Sequence, residues 1–209
     1  MLWLVRHGES EANAGGVTSD DEGIGLTSRG RAQAEAIAAA CSERPAWVGL
    51  SPYLRARQTA EPLLAKHAGV PIDELPVQEF SYLSAARCVG LSVVTRRPLR
   101  VEYWSRMDPE YVDGDGAESF AMMWKRASTF LRWVEGRKGL GIVFSHAQFI
   151  TAVIIEALYG AGEPTEGEMR RFFAAQAGLP IPNGAIVRLR REEKRWWVGG
   201  VDCAHWQGA

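Results

Sequence analysis

The chain is poor in cysteine. Its three cysteines in 209 residues, Cys41, Cys88 and Cys203, stand far apart and form no Cys-x-x-Cys pair. That pattern argues against a disulfide-stapled scaffold or a zinc ribbon, and it suits a reducing compartment. Charge of one sign is lacking as well: 24 Lys and Arg balance 25 Asp and Glu for a net charge of −1, so no overall field selects nucleic acid or an acidic membrane as partner. Long apolar runs are missing. Leu2-Trp3-Leu4-Val5 meets Arg6 at once, too short a stretch for a signal sequence or a membrane span, and cytoplasmic residence is the default expectation. Repeats and low-complexity tracts are absent, so the chain does not read as a solenoid.

What is present reads as one globular unit. A 46% hydrophobic and 23% charged composition excludes a disordered or fibrous chain, and the length suits a single domain over residues 1–209. Leu2 to Val5, Trp47 to Leu50 and Gly141 to Phe144 are short, wholly apolar segments, as expected of strands buried on both faces of a sheet. Helical patterns follow them. Thr27 to about Ser42 is Ala-rich, with Thr27 or Ser28 as cap; Ser51 is placed to cap a helix with Pro52 at its first position, running to about His67. Ile72 to Glu79 reads as an extended edge leading into a loop. From Glu118 to about Gly136, Phe120, Met123, Trp124, Ala127, Phe130, Leu131 and Val134 recur at helical spacing, and Gln148 to Tyr159 is a strongly apolar helix.

Residues 84–115 show neither helical nor strand period and read as an insertion or lid, and residues 160–178 as an exposed excursion with a charged helical stretch. Ala185 to Leu189 and Trp196 to Val201 form a hairpin around Glu192-Glu193-Lys194. Alternating strands and helices imply an α/β fold, a three-layer α/β/α sandwich with a mostly parallel central sheet and an antiparallel C-terminal hairpin. Ligands of such sheets bind at the carboxyl ends of the strands, where both Arg6-His7 and Ser145-His146 fall.

The run Arg6-His7-Gly8-Glu9-Ser10 with Asn13 resembles the signature of the histidine phosphatase superfamily, the group holding cofactor-dependent phosphoglycerate mutases and fructose-2,6-bisphosphatases. The resemblance covers most of the chain. Gly25-Leu26-Thr27 with Gly30 and Gln33-Ala34 is similar to its second block, and Ser51-Pro52-Tyr53-Leu54-Arg55-Ala56 with Gln58-Thr59-Ala60 to its third. Gln78-Glu79-Phe80-Ser81-Tyr82-Leu83 resembles the loop bearing the family's acid, Gly116-Ala117-Glu118-Ser119 the entry to its next helix, and Val143-Phe144-Ser145-His146 the segment with its second histidine. Two departures stand out: Ala147 replaces the glycine that follows the second histidine in many relatives, and residues 84–115 lack the Trp-Glu-Gly run that often follows the acid.

The resemblance implies a phosphatase that hydrolyses a phosphate monoester through a phosphohistidine on His7, with no metal and no cofactor. A phosphoryl group in flight spreads charge over its equatorial oxygens and needs preplaced donors. Arg6 and Arg55 can each offer a planar fork to those oxygens, His146 adds another donor, and Asn13 donates to a phosphate oxygen or serves as a turn residue. His7 must attack through an unprotonated nitrogen while a backbone carbonyl of the following turn holds the other. Glu79 is the candidate general acid, then base, with Glu74 nearby as the competing carboxylate.

Two other readings stay open. A mutase would return the phosphoryl group to another hydroxyl behind a cover that keeps water out, and the chain looks short for that. A non-catalytic module would use the retained pocket to sense a phosphorylated ligand or dock a partner protein. The expected partner is a small phosphorylated substrate, not nucleic acid or a membrane. Arg57, His67 and His205 read as surface or packing residues, the histidines lacking partners at metal-ligand spacing. The Arg and aromatic residues of 84–115 read either as a lid over the anionic or ringed part of a substrate or as an irregular solvated segment.

Overall fold

The computed structural model describes residues 1–16, 22–92, 94–160 and 162–206. Its centre is a six-stranded sheet. Strands β1 (Leu2–Arg6), β2 (Trp47–Leu50), β3 (Ile72–Glu74), β4 (Gly141–Ser145), β5 (Ile186–Glu192) and β6 (Arg195–Asp202) lie in the order β3-β2-β4-β1-β5-β6. The first four positions are parallel, and β5 and β6 run antiparallel beyond β1. This is the expected mixed α/β sheet.

Side chains alternate across the sheet. Leu2, Leu4 and Val143 enter a core on one face, beneath helices α5 (Phe120–Glu135), α6 (Ala147–Tyr159) and α7 (Glu166–Gly178). Val5, Val48, Ile142 and Phe144 enter a second core on the other face, beneath α1 (Ser28–Ala40) and α2 (Leu54–Lys66). Both strand faces are therefore covered, which is why β1, β2 and β4 are apolar throughout rather than alternating.

Local chemistry sets the helix starts. Thr27 caps α1, its hydroxyl accepting from the Gly30 N–H at 3.1 Å, and Ser119 caps α5 by accepting from Met122 N–H. The inward positions read from α5 are all buried. Two segments carry more order than their sequence suggests. Residues 84–115 include the short α3 (Ala85–Cys88) and α4 (Arg97–Arg106), with Tyr103 and Trp104 buried, and α7 sends Met169 and Phe172 into the core. A helix that buries two adjacent aromatics among arginines has no clean 3.6-residue pattern to read. Among the described residues no helix is long and apolar enough to cross a membrane.

Candidate active site

β1 and β4 are neighbours in register, Arg6 opposite Ser145, so the next residues, His7 and His146, leave the sheet side by side. The His7 N–H donates to the Ser145 carbonyl at 3.0 Å, and the two imidazole centroids are 5.0 Å apart. Ser51 leaves β2 on the other side of β4, its N–H on the Phe144 carbonyl at 3.1 Å and its hydroxyl 2.8 Å from His146 Nε2. Ser51 therefore does not cap a helix beginning at Pro52. α2 starts at Leu54 after Tyr53, because the register of β2 against β4 turns the serine hydroxyl toward the second histidine.

The tautomer of His7 follows from its partner. A carbonyl can only accept, so Nδ1 carries the proton that meets Gly8 O at 2.7 Å, leaving the lone pair on Nε2, which accepts from Arg55 Nε at 3.3 Å. The Gly8 N–H donates to Thr59 Oγ1 at 3.0 Å, and Asn183 Nδ2 donates to the His7 and Gly8 carbonyls at 3.2 and 3.3 Å. The turn packs directly on α1. A Cβ on Gly8 would collide with the Gly30 carbonyl, and one on Gly30 with the Glu9 carbonyl, so glycine at both positions is what lets helix and turn touch backbone to backbone.

Arg6, Arg55 and Asn13 meet His7 around a cleft of about 170 Å³ that Glu79 and Arg96 also line. Arg6 is anchored by donating from Nη1 to the Ile181 carbonyl at 2.6 Å, while its buried Nε has no hydrogen-bond partner among the described residues. Arg55 is buried at the start of α2, its guanidinium carbon 4.8 Å from the centre of the Tyr53 ring. Arg57, two residues on, points outward and pairs with Glu74 on the surface. Asn13 spends its carbonyl oxygen locally, accepting from the Ser10 hydroxyl at 3.0 Å and from Asn183 Nδ2 at 2.9 Å, which is turn chemistry and leaves its own amide N–H groups for the cleft. His146 is fully buried behind His7 and lines neither this cleft nor its neighbour. Its Nδ1 has no hydrogen-bond partner among the described residues.

Glu79 lies across the cleft. Its Oε1 accepts from the Phe80 N–H at 3.1 Å and the Gln148 N–H at 3.0 Å, and Gln148 is in the first turn of α6, where backbone donors lack partners within the helix. Glu74 is excluded from the site by its pairing with Arg57. The loop carrying Glu79 is clamped from behind by Arg126 of α5. That guanidinium grips Glu118 with two bonds of 2.6 and 2.7 Å and donates to the Pro76 and Gln78 carbonyls at 2.7 and 3.3 Å. Ser145 Oγ adds a bond to Val77 O at 2.6 Å.

Burial and these charges set the protonation states. The His7 pKa is well below 6.5, through burial first and then the positive charges of Arg55 and Arg6. Burial likewise depresses His146, helped by His7 and the same arginines. Glu79 moves the other way: burial raises it above 4.5, against the pull of Arg6, its two backbone donors and Arg55. The site thus sets a neutral imidazole with an unprotonated Nε2 opposite a carboxyl that holds its proton longer than usual.

Sequence reasoning left Ser51, Thr59, Asn183, Arg126 and Gln148 without roles in the site. Ser51 and Thr59 stand inside the third motif block, which was the available signal. Asn183 and Arg126 reach the site only through the fold. Among the described residues no group of three or more His, Cys, Asp or Glu side chains is placed to hold a metal ion. His67 is buried, with Nε2 3.4 Å from the Cys41 carbonyl, and the half-buried His205 has Nε2 3.0 Å from the Gly184 carbonyl.

Fold and site together define an α/β protein with paired histidines and an arginine-rich anion cleft at the carboxyl ends of parallel strands. The chain belongs to the histidine phosphatase superfamily (branch 1), whose family model matches residues 2–202. A comparison with curated proteins found no match. Solved structures similar in fold include the α-ribazole phosphatase of Shigella flexneri, at 21% identity and a TM-score of 0.71 over 97% of this chain and 96% of that one. Phosphoserine phosphatase of Entamoeba histolytica, as a mutant with phosphoserine, gives 21% identity and a TM-score of 0.72 over 98% of each chain. A mycobacterial glucosyl-3-phosphoglycerate phosphatase gives 20% and 0.71 over 94% and 96%.

Proposed function

We propose that the protein is a phosphatase that hydrolyses a small phosphate monoester through a phosphohistidine on His7. The observation that carries this reading is the pairing across one cleft of His7, held with Nε2 unprotonated by its bond to Gly8 O, with Glu79, a carboxyl whose pKa burial raises. Family membership and the phosphatases named among the structural neighbours support the same class of reaction.

In the first step the Nε2 lone pair of His7 forms a bond to phosphorus while the ester P–O bond breaks, and the departing alcohol oxygen takes the proton of Glu79. In the second, the Glu79 carboxylate removes a proton from water, whose oxygen attacks phosphorus as the P–N bond breaks. Inorganic phosphate leaves, and Glu79 is protonated again. Arg6 and Arg55 hold the equatorial oxygens, Asn13 donates to one of them through its amide, and His146, packed behind His7, supports the nucleophile's ring from outside the cleft. Guanidinium groups supply the electrostatic stabilisation, so no metal enters the cycle. The chain acts as one unit with residues 84–115 forming one side of the leaving-group cleft, and its three free thiols fit a cytoplasmic setting.

The experiment is to incubate purified protein with a panel of sugar phosphates, phosphorylated acids and nucleotides, following free phosphate against isomerised ester. Phosphate release, unaffected by a chelator and accompanied by an acid-labile label on His7, is expected. Isomer without phosphate would make the protein a mutase, and neither product from any ester would leave a binding module.

A further inference from the structure

The larger cleft beside the phosphate site, walled by Tyr82, Leu83 and Val89, is the leaving-group cleft of the proposed reaction. A separate cavity of about 540 Å³ shares no residue with either. It lies at the C-terminal ends of α5 and α6, beside the turn Glu193-Lys194 that joins β5 to β6. Leu2 pairs with Leu189, so that turn projects past the amino end of β1, away from His7 at its carboxyl end.

The cavity holds charges that the protein itself leaves unanswered. Glu156 of α6 is on its wall and only 3% exposed, and a carboxyl so deeply buried normally has partners for both oxygens. Here Oε1 meets the Ser128 hydroxyl, while Oε2 has no hydrogen-bond partner among the described residues. Three cations share the wall: Arg132 from α5, Lys194 from the turn and Arg195 from β6. Among the described residues none of them joins an ion pair, Arg132 donating only to the Thr129 hydroxyl at 3.1 Å. Glu135, the other carboxylate of the cavity, is taken by Arg191. Much of the remaining wall is apolar, with Leu131, Leu158 and Trp196.

We infer that this cavity is a second ligand site, for a free amino acid with an apolar side chain. Its ammonium meets Glu156, its carboxylate meets Arg132 and Lys194, and its side chain lies against Leu131, Leu158 and Trp196. An anion alone would leave Glu156 without a donor, and a cation alone would face three positive side chains; a zwitterion answers both. Burial raises the Glu156 pKa, with Ser128 and Arg132 pulling it down, and an ammonium beside it adds to that pull, so binding favours the ionised carboxylate. The negative dipole ends of α5 and α6 favour the ammonium as well. The site goes beyond the hydrolytic reading and does not depend on it.

The test is calorimetric titration of the full chain with L-phenylalanine and L-leucine, and with two analogues that each lack one charge, 3-phenylpropionate and phenethylamine. At least one amino acid should bind one-to-one, and both analogues should bind about tenfold or more weakly than L-phenylalanine. Saturating inorganic phosphate, which would fill the cleft at His7, should not compete. Glu156→Gln should weaken the amino acid about tenfold while leaving 3-phenylpropionate unchanged. The double variant Arg132→Gln with Lys194→Gln, both on the surface, should weaken the amino acid and 3-phenylpropionate but not phenethylamine, and it keeps the test open if the buried substitution prevents folding. No binding of either amino acid at about 10 mM, analogues that bind as tightly as L-phenylalanine, or displacement by phosphate would each overturn the inference.

Discussion

The phosphate cleft and the leaving-group cleft are neighbours built by opposite means. Around His7, Arg6 and His7 itself hang from the end of a central strand, Arg55 from the first turn of a helix and Glu79 from a clamped loop, and their positions are fixed largely by backbone partners: Ser145 O, Gly8 O, Ile181 O and the Gln148 N–H. The outer wall of the second cleft comes from the short helices of residues 84–115, where Val89, Val94 and Val101 are 66%, 79% and 61% exposed. The difference teaches where generality ends. A sheet edge can hold a phosphoryl group in one geometry whatever it is attached to, while the choice of attachment is left to an outlying segment that can vary without disturbing the strands.

Substitutions can sharpen or break that comparison. The largest effect is expected at His7, where alanine should lower kcat on every ester by about 10⁴-fold or more and abolish the acid-labile label. A loss confined to some esters would contradict a common phosphoryl site. Next comes Glu79→Gln, with a loss of about 10²–10⁴-fold and a changed pH profile. In the native protein the productive form has His7 neutral and Glu79 protonated. With His7 depressed and Glu79 raised, kcat/KM should fall toward high pH as Glu79 loses its proton and toward low pH as His7 gains one. The glutamine variant should lose the alkaline limb, and a limb that persists would assign it to another group.

Arg55→Ala should cost about 10²–10³-fold in kcat, with Arg55→Lys a poor substitute because an ammonium cannot reproduce the fork; recovery of full activity by lysine would remove the geometric argument. The smallest of these effects should come from Arg126→Met, which touches neither cleft. Freed from its clamp, the Glu79 loop should lose about tenfold in kcat with little change in KM. Thermal unfolding should show about 2 kcal/mol of destabilisation from the broken Arg126–Glu118 pair and the two carbonyls left without a donor. An equal fall on esters with good leaving groups, which need no acid, would mean that Arg126 acts elsewhere.

The protonation states also bear on folding. His7 and His146 are held neutral with pKa values below the ordinary 6.5, so unfolding in acid takes up protons at both. Their contribution to stability is intact above that value and is lost as pH falls below it.

Much of this arrangement was legible from the chain, and the boundary has a physical basis. A strand followed at once by a histidine appears twice, and because β1 and β4 are adjacent and in register the two patterns had to meet. The motif blocks marked Arg55 and Glu79 as candidates in the same way. Ser51 was misread because Ser-Pro before a helix is ordinary capping chemistry, and only the pairing of β2 with β4 reveals where its hydroxyl turns. Arg126 looks like any surface arginine on an amphipathic helix until the loop lying over it is known. α4 went unread because its arginines mask the buried Tyr103 and Trp104.

The order of the strands has a further consequence, during synthesis. β1 carries the histidine, but both of its partners, β4 and β5, lie more than a hundred residues later in the chain. At a ribosomal pace of about 5–20 residues per second, the apolar segment Leu2 to Val5 waits on the order of 10 s or more before β4 emerges to pair with it. Until then it is an unsatisfied strand of the kind that chaperones hold. Leu2 to Val5 are made before the rest of the sheet yet are among the last of it to be placed, and the cleft around His7 cannot form before β4 and β5 have arrived.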